Sequence, residues 1–328
     1  MTPLAFFIDS WEFELKMAID PPIEIVDLVF DGAKTTLNSN IGIFNMANPT
    51  NRISFQGEFG ANSDMACRDM FPDMEPLPCP TFEDAFNALV SEKADLAMIP
   101  IENTIAGRVA DIHHLLPESN LHIIGEYFMP IRFQLMVLPG AKKEDIKTVH
   151  SHVHAIGQCR NIVRENGWRA IVAGDTAGAA RQVSEAGDKS MAALSPRLAA
   201  DLYGLEIMEE DVEDHENNIT RFVVLSREAT SPKRNNDDEI WVTTFVFRVR
   251  NLPAALYKCM GGFATNGINM TKLESYQIGG TFVATQFYAD IQGHPDDIAV
   301  KRALSELDYF SEYVNILGVY KGHPSRRI

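Results

Sequence analysis

At 328 residues, 45% hydrophobic and 23% charged, the chain has an ordinary globular composition and room for about two domains. Its formal net charge of −16 excludes nucleic acid as a natural partner, because phosphate binding needs a basic surface. Four cysteines, Cys67, Cys79, Cys159 and Cys259, none at CxxC spacing, exclude a disulfide framework and indicate a reducing, cytoplasmic compartment. No apolar run reaches the length of a membrane span, so no membrane partner is expected.

Residues 1–51 read as an N-terminal extension. Its first 45 residues hold Lys16 and Lys34 against seven acidic residues and no arginine. That matches neither a secretory leader nor a mitochondrial presequence. Met46 is the expected functional start. Regular structure is expected from "RISFQGEFGANSDMACRDMF" onward. Ile53 and Phe55 alternate as in a strand, Gly57 and Gly60 make a turn, and Ser63 caps the next helix. In "TFEDAFNALVSEKAD", Thr81 is the N-cap, and Phe82, Ala85, Phe86, Leu89 and Val90 make one apolar face. "LAMIPIENT" is a buried strand with a polar end. Strands and helices then alternate through "LHIIGEY", "RFQLMVL", "GQCRNIVREN", "RAIVAG", "DTAGAARQVSEAG" and "KSMAALSP". This alternation predicts α/β architecture with largely parallel sheets.

The acidic run "EEDVEDHE", residues 209–216, reads as a solvated face, and "NNITRFVVLS" after it opens a buried strand. The polar stretch 229–239 reads as a linker. The rhythm then changes. "IWVTTFVFRVR" is a strand, and "LPAALYKCMGGFATNG" is a helix with Pro253 near its first turn and Gly267 at its end. "INMTKLESYQ" and "TFVATQFYADI" are strands joined across Gly279 and Gly280. "PDDIAVKRALSELDYF" is a helix and "YVNILGVYK" a last strand, completing a βαββαβ, ferredoxin-like order.

Several polar residues fall where such folds bind ligands. Glu102, Asn103 and Thr104 stand at the carboxyl end of a strand, where α/β crevices form; the alternative is that they cap the next segment. "GEFGANS" lacks the third glycine of a dinucleotide fingerprint and the lysine of a P-loop. Its small residues instead let Asn62 and Ser63 approach a ligand. In "HSHVH", three histidines on one strand would point roughly parallel, a poor tetrahedral zinc site, so no metal is expected. Thr176 starts a helix, with Asp175 competing to cap it. At the mouth of its strand, Thr220 stands beside Arg221, a neutral donor beside a fixed cation. The pair suits an anion that must lose a hydroxyl, or Arg221 simply pairs with the acidic run.

Taken in order, "GEFGANS", "IPIEN", "SHVHAIGQC", "DTAGAA" and "NNITRF" resemble the prephenate dehydratase family, followed by an ACT regulatory domain with "NLPAALYK" and "INMTKLES". The resemblance covers residues 52–323. It implies a catalytic domain at 52–228 made of two α/β lobes like bilobal solute-binding proteins, and a regulatory domain at 240–323. It implies conversion of prephenate to phenylpyruvate with loss of carbon dioxide and water. Aromatisation needs no electron sink, so no cofactor is implied. In the family the threonine of "TRF" is most tied to catalysis, and here it is Thr220. Arg221 then orients Thr220 or binds a carboxylate. Asn62, Ser63, Asn103, Thr104, Ser151, Gln158, Thr176 and Phe222 are the candidates that bind substrate. L-phenylalanine is implied as feedback ligand at Asn251, Leu252, Pro253, Ala254, Ala255, Leu256, Asn269, Glu274 and Ser275. Unpaired sheet edges predict a homodimer or homotetramer. The sequence departs from the family at Ala61 and Asn62 in "GANS", at Thr104 in "PIENT", at Ala254 in "PAAL", and at Tyr276 and Gln277 in "ESYQ". The "GA" form also resembles plant arogenate dehydratases, so arogenate is the alternative substrate. A non-catalytic sensor of two metabolites is the alternative from another class.

Overall fold

The structure, a computed structural model, describes residues 50–230, 232, 239–250, 252–277 and 284–326. The reading of residues 1–45, Asn251, the Gly279–Gly280 turn and most of the linker fall outside the described residues. The chain begins with β1 (Arg52–Gln56), α1 (Asn62–Met70), β2 (Glu75–Cys79), α2 (Phe82–Val90) and β3 (Leu96–Asn103). A two-residue β4 (Gly107–Arg108), α3 (Ile112–Glu118) and β5 (His122–Pro130) complete this first pass. A second lobe follows: β6 (Gln134–Val137), β7 (Thr148–Ser151), α4 (Val153–Gln158), α5 (Arg160–Glu165), β8 (Arg169–Val172), α6 (Thr176–Ala186), β9 (Met191–Ser195), α7 (Arg197–Tyr203) and β10 (Glu206–Glu209). The chain then returns to the first sheet as β11 (Ile219–Ser226).

The sheets are less parallel than alternation predicts. β1 pairs in parallel with β2 and β3, but β11 inserts antiparallel between β3 and β5. In the second sheet β7 is parallel to β8 and β9, while β6 is antiparallel to both β9 and β10. The antiparallel strands β5, β6, β10 and β11 are those at the two crossings between the lobes. The buried strands read as near-continuous apolar runs, as expected where both faces are covered. Along β11, Phe222 and Val224 enter one core with Met98, Leu135 and Leu194, whereas Val223 and Leu225 enter another with Ile99, Leu116 and Tyr288.

The acidic run sits at these crossings and is solvated only in part: Glu210, Asp211, His215 and Glu216 are exposed, but other carboxylates are held by the fold. Glu213, 3% exposed at its side chain, pairs with Arg132 and accepts from the Phe133 backbone N–H at 3.0 Å. Asp214 accepts from the N–H groups of Arg160 and Asn161, capping α5, and Asp211 accepts from Gln134. Glu213 thereby satisfies the N–H of buried Phe133, which a bare crossing would leave unpaired.

The C-terminal βαββαβ unit comprises β12 (Trp241–Val249), α8 (Ala255–Thr265), β13 (Met270–Gln277), β14 (Ala284–Gln292), α9 (Ile298–Phe310) and β15 (Ser311–Lys321), with sheet order β13-β14-β12-β15. Phe245, Phe247, Phe287 and Ile291 pack under the helices against Phe263, Val300 and Leu307. The opposite face, with Val242, Val246, Tyr288 and Tyr320, shares a core with α2, α3, β3 and β11. All described residues belong to one compact unit. The β15 edge, expected to be free, meets β5 at Gly318 opposite Ile123. A Cβ on Gly318 would fall on the Ile123 carbonyl oxygen, so only glycine allows this approach.

Candidate active site

β3 and β11 run antiparallel with Asn103 opposite Thr220 and Glu102 opposite Arg221. The register shifts after Arg221, so that Phe222 faces Pro100 and Ile101 is extra. Such a bulge re-aims side chains at a strand end. Here it brings the Asn103 amide onto Thr220. Asn103 Oδ1 accepts from the Ile105 and Ala106 backbone N–H groups at 2.9 and 2.8 Å. That fixes the amide, and Nδ2 therefore faces β11. Nδ2 donates to Asn218 Oδ1 at 2.7 Å, to Thr220 Oγ1 at 3.0 Å and to the Ile219 carbonyl at 3.2 Å. Thr220 is half-buried, and its hydroxyl is an acceptor in this bond. Its own proton finds no acceptor among the described residues and is free for a ligand.

The chain of amides reaches the other lobe. Asn218, fully buried, donates from Nδ2 to Gln158 Oε1 at 2.7 Å, at the end of α4. Thr104 spends its hydroxyl on the backbone, donating to the Asn217 carbonyl and accepting from the Ile219 N–H. It fastens the loop before β11 rather than presenting a free hydroxyl.

α1 and α6 bring their N-termini together. Ala61, at the α1 N-cap, shares an apolar cluster with Ala177 and Ala180 of α6. Asn62 and Ser63 thus occupy the first turn of one helix and Thr176 that of the other. Ser63 is not the cap that the sequence suggests. Ala61 holds that position, and Asp64 accepts from the Gly60 N–H at 2.8 Å, satisfying a donor just outside the helix. Asp175 caps α6 by accepting from the Gly178 N–H at 2.7 Å, which leaves Thr176 uncommitted. Ser151 is different. Its hydroxyl donates to the Leu194 carbonyl at 2.6 Å inside the sheet and is spent there. The three histidines do not share a strand: His150 lies in β7, His152 caps α4, and His154 lies within α4.

The loop that leads into α1 just before Asn62 is latched to the second lobe. Arg181 of α6 donates to both oxygens of Glu58, at 2.7 and 2.9 Å, and Tyr203 OH donates to the Phe59 carbonyl at 2.8 Å. The Arg181 hydrogen bond holds the Glu58 carboxyl below its usual range. Burial raises the Asp175 carboxyl and lowers the His152 imidazole. A Cβ on Gly60 would stand 2.9 Å from the Ala199 backbone, and its φ of +88° suits glycine. No sequence signal marks Glu58, Arg181 or Tyr203, because the pairing depends on how the lobes meet.

Arg221 faces away from Thr220. Strand alternation puts it on the other side of β11, where it is 3% exposed. Nε donates to Glu126 Oε2 at 2.8 Å, Nη1 to Glu102 Oε1 at 2.9 Å and to Asp290 Oδ2 at 2.5 Å, and Nη2 to Tyr320 OH at 2.9 Å. Burial opposes its charge, but Asp290, Tyr320 and Glu126 outweigh burial and hold it cationic. Its partners are not the acidic run, and its guanidinium is committed before any substrate arrives. Phe222, 1% exposed, is a core residue on the Thr220 face.

In the C-terminal unit, Leu252, Pro253 and Ala254 are exposed, and Ala255 and Leu256 begin α8. They lie at the same sheet end as Glu274 and Ser275, since Arg248 and Tyr276 both pair with Gln286. Asn269 lies at the other end of β13, donating to Gln292 Oε1 at 2.9 Å.

The family model for prephenate dehydratase matches residues 53–230. The chain is 48% identical over 276 residues to a bifunctional N-acyl-homoserine lactone acylase/prephenate dehydratase of Komagataeibacter europaeus, covering 84% of this chain and 97% of that one. It is 38% identical over 283 residues to the chloroplastic arogenate dehydratase/prephenate dehydratase 1 of Arabidopsis thaliana, covering 82% and 71%. Among solved structures, it is similar to a prephenate dehydratase from Arthrobacter aurescens in complex with L-Phe. The TM-score is 0.75 at 31% identity, covering 82% of this chain and 89% of that one.

Proposed function

The chain belongs to the prephenate dehydratase family of carbon–oxygen lyases, and we propose that it converts prephenate to phenylpyruvate. That membership sets aside the non-catalytic sensor. In the proposed reaction the ring carboxylate leaves as carbon dioxide. The electron pair of the broken carbon–carbon bond passes through the diene and expels the hydroxyl from the opposite ring carbon. One proton is taken up, and the hydroxyl leaves as water.

The observation that carries this reading is the bond from Asn103 Nδ2 to Thr220 Oγ1. Because Thr220 accepts there, its proton points elsewhere and can be donated to the departing oxygen as charge develops on it. Asn103, Asn218 and Gln158 hold the hydroxyl in place without adding a fixed charge beside the carboxylate that must be lost. The first turn of α1, with Asn62 and Ser63, has no capping side chain and offers free backbone N–H groups suited to a substrate carboxylate, while α6, already capped by Asp175, offers the Thr176 hydroxyl.

L-phenylalanine is the proposed regulator, held near Leu252–Leu256 and Glu274–Ser275, with a homodimer or homotetramer in the cytoplasm as the working form. The relative solved with L-Phe and the shared sheet end of the two stretches support this. Acyl hydrolysis, named for the Komagataeibacter relative, calls for an activated nucleophile. Ser151 spends its hydroxyl on Leu194, and burial raises the thiols of Cys67 and Cys159, so none of these three is set up as that nucleophile.

The test is absorbance of phenylpyruvate in alkali after mixing protein and prephenate, beside phenylalanine formation from arogenate and fatty-acid release from an N-acyl-homoserine lactone. Phenylpyruvate formed fastest supports the proposal. Faster turnover of arogenate transfers the same site to that substrate, and turnover of the lactone alone overturns the reading.

A further inference from the structure

The immediate chain neighbours of the Asn103–Thr220 pair are both held by the C-terminal βαββαβ unit. Glu102 precedes Asn103 and Arg221 follows Thr220, and these two face each other across β3 and β11 at 2.9 Å. Lys272 of β13 reaches Glu102 Oε2 at 2.6 Å. Asp290 of β14 reaches Arg221 at 2.5 Å, and Tyr320 of β15 accepts from the same guanidinium. Asp290 is itself fixed, because Thr244 donates to Oδ1 at 2.6 Å and lies 2.7 Å from Tyr320 OH. Asp290, Thr244 and Tyr320 are fully buried. The unit therefore offers a cation to the anion on β3 and an anion to the cation on β11, one residue from the reacting hydroxyl.

Buried ion pairs add little net stability, since desolvation offsets their attraction, but they punish any wrong register severely. Register matters at this point of the sheet, because the bulge opposite Arg221 fixes which residues of β3 and β11 meet. A slide by one residue would separate the Asn103 amide from Thr220. We propose that Asp290 and Lys272 are positioning residues of the dehydratase site. They lock Glu102 and Arg221, and through them set the Asn103–Thr220 geometry on the opposite face. This inference rests on the reading of Thr220 as the donor to the leaving hydroxyl.

The experiment uses the full chain and prephenate. Lys272→Met removes the ammonium and keeps most of the stem, Lys272→Arg restores a cation, and Asp290→Asn removes the anion at constant shape. Lys272→Met and Asp290→Asn are expected to lower kcat by about 10- to 100-fold with KM changed less than about threefold, the size of effect that small misplacements produce. Lys272→Arg should recover to within about threefold of the parent. In a Thr220→Val background, Lys272→Met should cost little further kcat, because both changes break the same contact. Folded Lys272→Met with near-parental kcat, or full additivity with Thr220→Val, overturns the proposal. Should Asp290→Asn fail to fold, the Lys272 pair and the additivity measurement decide alone. Failure of the parent to turn over prephenate or arogenate would instead sink the functional reading, so the two failures are distinguishable.

Discussion

Thr220 and Arg221 are neighbours on β11 that serve opposite faces of one sheet. The Thr220 hydroxyl lies 3.0 Å from Asn103 Nδ2 in the candidate cleft, and the Arg221 guanidinium lies 2.5 Å from Asp290 of the C-terminal unit. Two adjacent polar residues therefore do separate work. The hydroxyl is left with a proton to give, while the guanidinium, nearly saturated by carboxylates and a phenol, ties the strand to its surroundings.

If Thr220 donates to the leaving oxygen, its oxygen matters and its methyl group does not. Thr220→Ser should keep substantial activity. Thr220→Val keeps the shape and should lower kcat by on the order of 10²–10³, the usual cost of one such donor. KM should move less, since the bond strengthens in the transition state. Steady-state kinetics and a melting curve for each variant check this. Near-normal kcat in the valine variant, with a small stability loss in the serine variant, would mark Thr220 as a packing residue.

The Glu58–Arg181 pair should act on substrate affinity more than on stability. Both side chains are over a third exposed, and such pairs contribute about 0–1 kcal/mol. They nevertheless fix the loop that leads to Asn62 against α6. Arg181→Gln is expected to raise KM several-fold with kcat near the parent and Tm almost unchanged. A fall in kcat with KM constant would refute the latch.

Much of this was legible in the sequence, and the failures are instructive. Asn103 and Thr220 stand out as polar residues at strand ends, with the "TRF" resemblance marking Thr220, and the structure sets them 3.0 Å apart. The βαββαβ order was found because each element carries its own period. The partnership of β11 with both β3 and β5 was not, since pairing partners about ninety to 130 residues apart leave no local trace. Arg221 is another matter. Once "ITRFVVLS" reads as a strand, alternation alone puts Arg221 on the face opposite Thr220, so that signal was present. The acidic run misled because composition suggests a solvated face, while burial of Glu213 depends on where the chain crosses between lobes.

Ala254 should be a stabilising site. It precedes α8 with φ +59° and ψ 22°, left-handed values that cost a β-carbon roughly 1–2 kcal/mol. The residue is exposed, so a smaller side chain loses no packing. Ala254→Gly removes the strain and returns part of it through the freer unfolded chain, about 0.4–1 kcal/mol. The expected outcome is a Tm raised by about 1–3 °C. Calorimetry showing a lower Tm would mean that the strain is absent in solution.

His113 should make stability fall in mild acid. It is 1% exposed, neither ring nitrogen has a hydrogen-bond partner among the described residues, and its ring packs edge-on against Tyr288 at 5.0 Å. Burial lowers its pKa from 6.5 to about 4, helped by the charges of Lys272 and Arg108. The folded state thus refuses a proton that the unfolded chain accepts. Below pH 6.5 the unfolded chain binds more protons, so stability is lost as pH falls and the loss levels off near pH 4. Between pH 7 and pH 5 this one group costs about 2 kcal/mol, from a shift worth 1.36 kcal/mol per unit. Glu102 and Glu126 have carboxyls held below their usual range despite burial, by Arg221 with Lys272 and by Arg326 with Arg221 respectively. Their contribution is lost only as pH falls below the ordinary carboxylate range, which separates them from His113. His150, His152 and His323, also lowered by burial, titrate in the same window and stay in place when His113 is replaced. Denaturant unfolding of the parent and of His113→Phe across pH 4–8 isolates the difference. The phenylalanine variant should lose about 2 kcal/mol less between pH 7 and pH 5. Parallel curves for the two proteins would show that His113 binds its proton equally well folded and unfolded.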